Sequence, residues 1–374
     1  MTGEEAGKRK RPMGLKARAA KKTSAGPAVR DFEDSTATVV LQGDEGSNEL
    51  DELEGIFDSA IASADEDPER ALALLRGTIH ESDRMLRARD AAAAADDDQP
   101  PLEARFYLVY GSALFALAEL DEAAEGDRPA LLEAARERLE QARALCEDRD
   151  RPLLWRVHLA LAKAELEILA VDEAAAVPLP SLDRAMQSLE AASSSEGPLP
   201  QREEPLAVVD LVLSLADSQR VGPRVAAELA AWGADQARRL PGAEARHMLG
   251  RALWVRASAL TDKAEAEEEE EDDDNEDETT TTEPVRTLLA EAAELLADAE
   301  DSDTLLLRGE VEINLGNALD GDADAQERAY AAAVATFRRV QAMGALPEQF
   351  AEYIDAFENP ASDDDGGDDV VEEE

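Results

Sequence analysis

The side chains in this sequence best suited to nucleophilic attack, proton transfer or metal binding near neutral pH are His80, His158, His247 and Cys146. Each histidine falls in a different predicted helical segment. No H-E-x-x-H pair, H-x-D iron motif or Cys/His cluster surrounds them, so neither a zinc nor a non-haem iron ligand set is spelled out. Gly-rich phosphate loops of the G-x-G-x-x-G or G-x-x-x-x-G-K form are also absent from the sequence. Cys146 ends a helical pattern with only Arg143 and Arg149 as basic neighbours, and it reads as a half-buried helix residue rather than a nucleophile. This inventory predicts a protein with no catalytic residue, no metal and no cofactor.

Recognition is the chemistry that remains. In IHESDRMLR, the residues His80, Asp83, Arg84 and Arg87 fall at i, i+3, i+4 and i+7 of one helical flank, with Glu81 beside them. Such a flank offers a hydrogen-bonding surface to a partner protein. It can equally close on itself as an Asp83–Arg87 salt-bridge ladder next to a solvated histidine. Asn314 and Asn317 present a similar choice: amides on the first helix of a hairpin either grip a partner's main chain or satisfy neighbouring helix ends.

Charge is distributed unevenly. The 374 residues carry 86 acids against 38 bases, a formal net charge of −48, which opposes direct binding to nucleic acid or to an anionic bilayer. The exception is the start of the chain, where Lys8, Arg9, Lys10 and Arg11 are followed by Lys16, Arg18, Lys21 and Lys22 without an intervening acid. An importin groove needs an extended cationic peptide of this kind, so the segment predicts nuclear import; a solvated tail and a nonspecific nucleic-acid arm are the other readings. The acidic run at 265–278 suits a solubilising insertion or a holder of basic clients such as histones or ribosomal proteins. With one cysteine there is no intramolecular disulfide, and a reducing compartment is expected. No apolar run approaches the ~20 residues of a membrane span.

The elements that must position these residues are helices. Apolar residues make up 44% of the chain and aromatics only 4%, and alanine supplies much of the apolar count, which suits closely packed helices. Residues 37–42 are the only strand candidate. Around 305–347, Leu307, Val311, Leu315 and Leu319 form one apolar stripe and Tyr330, Ala333, Val334, Phe337 and Val340 another, with a break at Asp320-Gly321 and a stop at Pro347. That is an antiparallel helical hairpin, and one hairpin cannot bury both of its faces. Others precede it. Segments 47–63 and 67–89 read as a first and a second helix, 91–98 is a linker, and the hairpins repeat from 102, pairing 102–120 with 129–146, 152–171 with 181–192, 204–219 with 223–240, and 243–263 with 284–299. A short helix closes the array near 347–357. The expected fold is therefore all-α: a tetratricopeptide-like stack of antiparallel helical hairpins with disordered termini. Its expected parts are a disordered basic tail at 1–46, a helical domain at 47–358 interrupted by an acidic disordered insertion at 264–283, and an acidic disordered tail at 359–374.

Five stretches carry a family resemblance: KRPMGLKARAAKK (10–22), ELDELEGIFDSA (49–60), GTIHESDRMLR (77–87), YLVYGSALFALAEL (107–120) and LRGEVEINLGNALDGDADAQERAY (307–330). In this order they resemble the fungal enhancer of translation termination, also known as the negative regulator of the OFD-type prolyl hydroxylase. The resemblance implies a nuclear, non-enzymatic adaptor of tetratricopeptide-like build that binds a 2-oxoglutarate/Fe(II)-dependent prolyl hydroxylase acting on a small-subunit ribosomal protein. Through that partner it implies a part in translation termination and in hypoxic gene expression. It further implies an import signal at Lys8, Arg9, Lys10, Arg11, Lys21 and Lys22 read by importin, and makes His80, Glu81, Asp83, Arg84 and Arg87 the family's most recognisable helix. A basic ribosomal protein is a further candidate partner. The alternative function is an acidic chaperone for histones or ribosomal proteins.

Overall fold

A computed structural model describes residues 48–94, 101–121, 127–146, 150–172, 175–193, 204–218, 220–270, 282–319 and 321–359. The basic cluster Lys8–Lys22, the strand candidate at 37–42, the centre of the acidic run and the acidic tail lie outside these residues. Thirteen α-helices and no strands occur among the described residues. They are α1 (Glu49–Ser63), α2 (Pro68–Ala94), α3 (Ala104–Leu120), α4 (Arg128–Leu145), α5 (Arg151–Val171), α6 (Leu179–Ser193), α7 (Glu204–Asp217), α8 (Pro223–Ala237), α9 (Ala243–Glu270), α10 (Thr282–Leu295), α11 (Ser302–Ala318), α12 (Ala323–Ala342) and α13 (Glu348–Glu358).

Local chemistry sets the boundaries. The side chains of Asn48, Asp67, Asp301 and Asp322 accept from the first free N–H groups of α1, α2, α11 and α12, at 3.3, 3.1, 2.8 and 3.0 Å. Proline opens α4, α5 and α8, where the missing N–H would have had no helical partner. At the other ends, Gly321 and Gly344 adopt φ of 89° and 75°, a region costly for residues with a Cβ. Gly344, rather than Pro347, therefore terminates α12, and Pro347 instead stands at the N-cap of α13. Two further boundaries differ from the sequence expectation. The 91–98 linker begins late because the alanines continue α2 through Ala94, and α9 carries the acidic run in helical form through Glu270, since Ala and Glu favour helix even where charges repel.

Each helix packs on the next in sequence along most of the chain, and odd-numbered helices also touch their odd-numbered neighbours from α1 to α11. The result is two layers of helices, odd and even, stacked as successive hairpins. One departure from simple pairing is that α8 lies against α9 more extensively than against α7, because the short turn at 238–242 sets it alongside the long α9.

Small residues control how near paired helices come. Ala113, Ala135, Ala142, Ala164, Ala185, Ala252, Ala292 and Ala333 are completely buried. Gly111 faces Leu139, Gly233 faces Leu213 and Gly250 faces Leu296, where an added Cβ would sit 2.7–2.8 Å from the leucine side chain. Gly309 and Gly316 of α11 admit Phe337 and Tyr330 of α12 in the same way. Phe337 has no room to retreat: it is fully buried and stacked on Phe350 of α13 at 4.5 Å between ring centroids. Below it, the buried Glu312 carboxylate receives Arg308 Nε and Thr336 Oγ1, each at 2.8 Å, so the charge enters the core already satisfied. Gly309→Ala is expected to cost about 1–3 kcal/mol through overpacking against a ring that cannot yield. Urea denaturation of the two proteins measures it directly.

Candidate functional site

The reactive-type residues are built into packing contacts. His158 Nδ1 lies 2.6 Å from Ser188 Oγ, joining α5 to α6, and His247 Nδ1 lies 2.9 Å from Thr304 Oγ1, joining α9 to α11. Burial holds both imidazoles below their ordinary 6.5, with Arg184 and Arg143 adding to the effect at His158. Burial also pushes the Cys146 thiol up, which disfavours the reactive thiolate, and Asp150 adds to it. Among the described residues, no group of three or more His, Cys, Asp or Glu side chains is arranged to hold a metal ion.

Polar contacts link hairpin to hairpin along the stack. Glu54 of α1 is gripped by Arg105 of α3 and approached by Arg156 of α5 at 3.7 Å, while Arg105 also reaches Asp51 at 2.9 Å. Glu167 of α5 accepts from Arg128 of α4 and from Arg220 beyond α7, both at 2.5 Å. Arg251 of α9 then reaches Asp210 and Ser214 of α7 at 2.5 and 3.1 Å. These ties fix how successive hairpins sit on one another.

The outer side of the first hairpin contrasts with this. Ala71, Leu74, Leu75, Thr78 and Ser82 of α2 are buried, whereas Ala73, Gly77, His80, Arg84 and Arg87 are all exposed. Their alternating steps of four and three residues align them along one stripe, the spacing with which a helix presents a seam to a second helix. Among the described residues, a Cβ added at Gly77, or at Gly55 of α1, would meet nothing within 4 Å outside its own stretch of helix. Unlike the glycines between paired helices, these two face open space among the described residues. Each nonetheless costs about 1 kcal/mol of helix stability relative to alanine.

The polar residues of this flank are arranged differently from the ladder considered above. Arg84 forms a bidentate pair with Glu81, at 2.5–2.9 Å, and reaches Glu49 of α1 at 3.4 Å. The Arg84 guanidinium hydrogen-bonded to Glu81 holds that carboxyl below its ordinary value. Asp83 turns inward and accepts the Tyr110 hydroxyl at 2.5 Å, leaving Arg87 to donate to the Asp83 carbonyl at 3.1 Å. Burial, with the neighbouring Asp83 carboxylate, pushes the Tyr110 hydroxyl up to about 12, so it stays a donor, and Arg138 lies over its ring at 5.2 Å. An Asp83–Arg87 salt-bridge ladder therefore does not form: tertiary contact with α3 claims the aspartate.

Asn314 and Asn317 sit near the other end of the stack. Asn314 donates to the Glu310 carbonyl of its own helix at 3.0 Å, and Asn317 accepts the Tyr330 hydroxyl at 2.7 Å. The fold brings neither to the α2 stripe. The glycines and Ala73 were not singled out by sequence reasoning, although the 73-77-80-84-87 spacing was there to be read.

The sequence model of the family described as "Nuclear pore complex subunit Nro1" matches residues 6–196, more than half the chain. No curated protein matches. Among solved structures, the chain is similar to the S. pombe nuclear import adaptor Nro1 in two crystal forms, each at 18% identity and a TM-score of 0.47. One covers 83% of this chain and 98% of that one, the other 85% and 99%. It is also similar to Nro1 described as a hypoxic regulator of sterol synthesis and a nuclear import adaptor, at 19% identity and a TM-score of 0.47, over 83% and 93% of the two chains.

The buried histidines give a pH signature. Their folded-state affinities for protons lie below the unfolded value, so just below pH 6.5 the unfolded chain binds more protons and stability falls as pH drops. Melting temperature should decrease between pH 7.5 and 5.5, and the decrease should be smaller in a His158→Gln/His247→Gln variant.

Proposed function

From the premise that this chain belongs to the Nro1 family, we propose that it is a non-catalytic nuclear adaptor that holds a partner protein against the outer face of its first helical hairpin. The partner is a 2-oxoglutarate/Fe(II)-dependent prolyl hydroxylase, the class that the resemblance of GTIHESDRMLR and the flanking stretches implies. Import proceeds through importin, which reads Lys8, Arg9, Lys10, Arg11, Lys21 and Lys22. Through the hydroxylase, which acts on a small-subunit ribosomal protein, the adaptor influences translation termination and hypoxic gene expression.

The observation that carries this reading is the exposed stripe of Ala73, Gly77, His80, Arg84 and Arg87, with Gly55 on the neighbouring helix. A glycine that costs stability and packs against none of the other described residues leaves space for another backbone to approach closely. Below it, His80, Arg84 and Arg87 supply donors for a polar rim around the contact. Glu81 pre-positions Arg84. No step of this function asks a side chain to make or break a bond.

Gly77→Leu separates folding from docking. Leucine is the better helix former, so the variant should gain about 0.5–1 kcal/mol of stability in urea. Its capture of the hydroxylase by the full chain should nevertheless fall about tenfold, equivalent to ~1.4 kcal/mol. Capture as strong as that of the original chain would rule this face out as the docking site. In cells, replacing Lys8, Arg9, Lys10 and Arg11 by alanine should abolish nuclear accumulation, and a variant that stays nuclear would remove the import assignment.

A further inference from the structure

Ser63, the last residue of α1, is followed by Ala64, Asp65, Glu66 and Asp67, so acids stand at positions +2, +3 and +4. No other described serine or threonine has all three. Asp65, Glu66 and Asp67 are exposed in the turn between α1 and α2, and Ser63 is itself partly exposed. Asp67 is engaged as the cap of α2, while Asp65 and Glu66 form no ion pair within the described residues and stay available to a visiting cationic groove. The Ser63 hydroxyl donates only to the Ser59 carbonyl, one turn back, at 2.8 Å.

We infer that Ser63 is a phosphorylation site for an acid-directed serine/threonine kinase, and that the phosphate unwinds the last turn of α1. The kinase transfers the γ-phosphoryl group of ATP. An O–P bond forms at Ser63 Oγ, the anhydride bond to the β-phosphate breaks, the hydroxyl proton passes to the kinase's catalytic carboxylate, and ADP leaves.

The end of α1 is poorly placed to tolerate the product. Esterification removes the donor to the Ser59 carbonyl. It sets a group of about −2 charge at the negative end of the helix dipole, beside three more acids. No basic residue occupies the last turn of α1 to compensate. Little apolar burial resists, because Ile61 is 46% exposed and Ala60 is the last completely buried residue of the helix. The inference depends on this turn alone and stands apart from the identity of any docking partner.

The sequence also places Ser362 before three aspartates, so the test uses the full chain carrying Ser362→Ala. That protein is incubated with an acid-directed kinase and magnesium ATP, and its phosphopeptides are mapped by mass spectrometry. Close to one phosphate at Ser63 is expected, and none in Ser63→Ala/Ser362→Ala. Amide exchange across residues 58–64 should accelerate at least tenfold on modification. If the unaltered chain takes phosphate fully at Ser362 while Ser63 stays bare, the site assignment is overturned. A phosphorylated Ser63 with unchanged exchange overturns the unwinding.

Discussion

The distance between paired helices is the constraint on which this stack depends, and small residues set it. Where glycine or alanine faces a leucine or an aromatic ring, the two backbones close up and the larger side chain fills the groove opposite. With 4% aromatic residues the chain has few large side chains to span a wide interface, so close approach is how it excludes water. Phe337 shows the arrangement at its tightest, wedged over Gly309 and closed off by Phe350. Paired helices of this kind have an apolar face to bury on each side, which is why they stack on one another.

Polar contacts between hairpins add directional ties to this close packing. Glu54 and Glu167 each meet two arginines from different hairpins, so each carboxylate ties three helical segments together. Such pairs add modest stability when half exposed, and their directional geometry contributes more to registry than to energy. A rigid stack in turn gives a docking face fixed geometry. In the proposed function, the outer side of α2, with the exposed Gly77 and the arginines Arg84 and Arg87, is the face that this rigidity holds in place for a partner.

Much of this architecture is legible in the sequence because helical periodicity is a local signal. The apolar stripes of Leu307 to Leu319 and of Tyr330 to Val340, the Asp and Asn caps, and the turn at Gly321 all follow from spacing and propensity. What was not legible depends on contacts distant in sequence. Asp83 pairs with Tyr110 rather than Arg87 because α3 lies against α2, and Asn317 is taken by Tyr330 for a similar reason. The alanines after Arg89 read as a linker and the glutamates after Lys263 as a disordered insertion by composition, yet helix propensity extends both helices. Likewise, Gly77 and Gly309 are indistinguishable as letters in a helix; only the packed structure shows that one meets a phenylalanine and the other meets solvent.

The proposed docking places a protein partner against α2 and α1 on the side that the other described residues leave uncovered. Hydrogen–deuterium exchange of the full chain with and without the prolyl hydroxylase tests this most directly. The account predicts slowed exchange at residues 73–87 and at 52–59, with the rest of the stack unchanged. Slowing confined to other helices, or to the acidic end of α9, would contradict it.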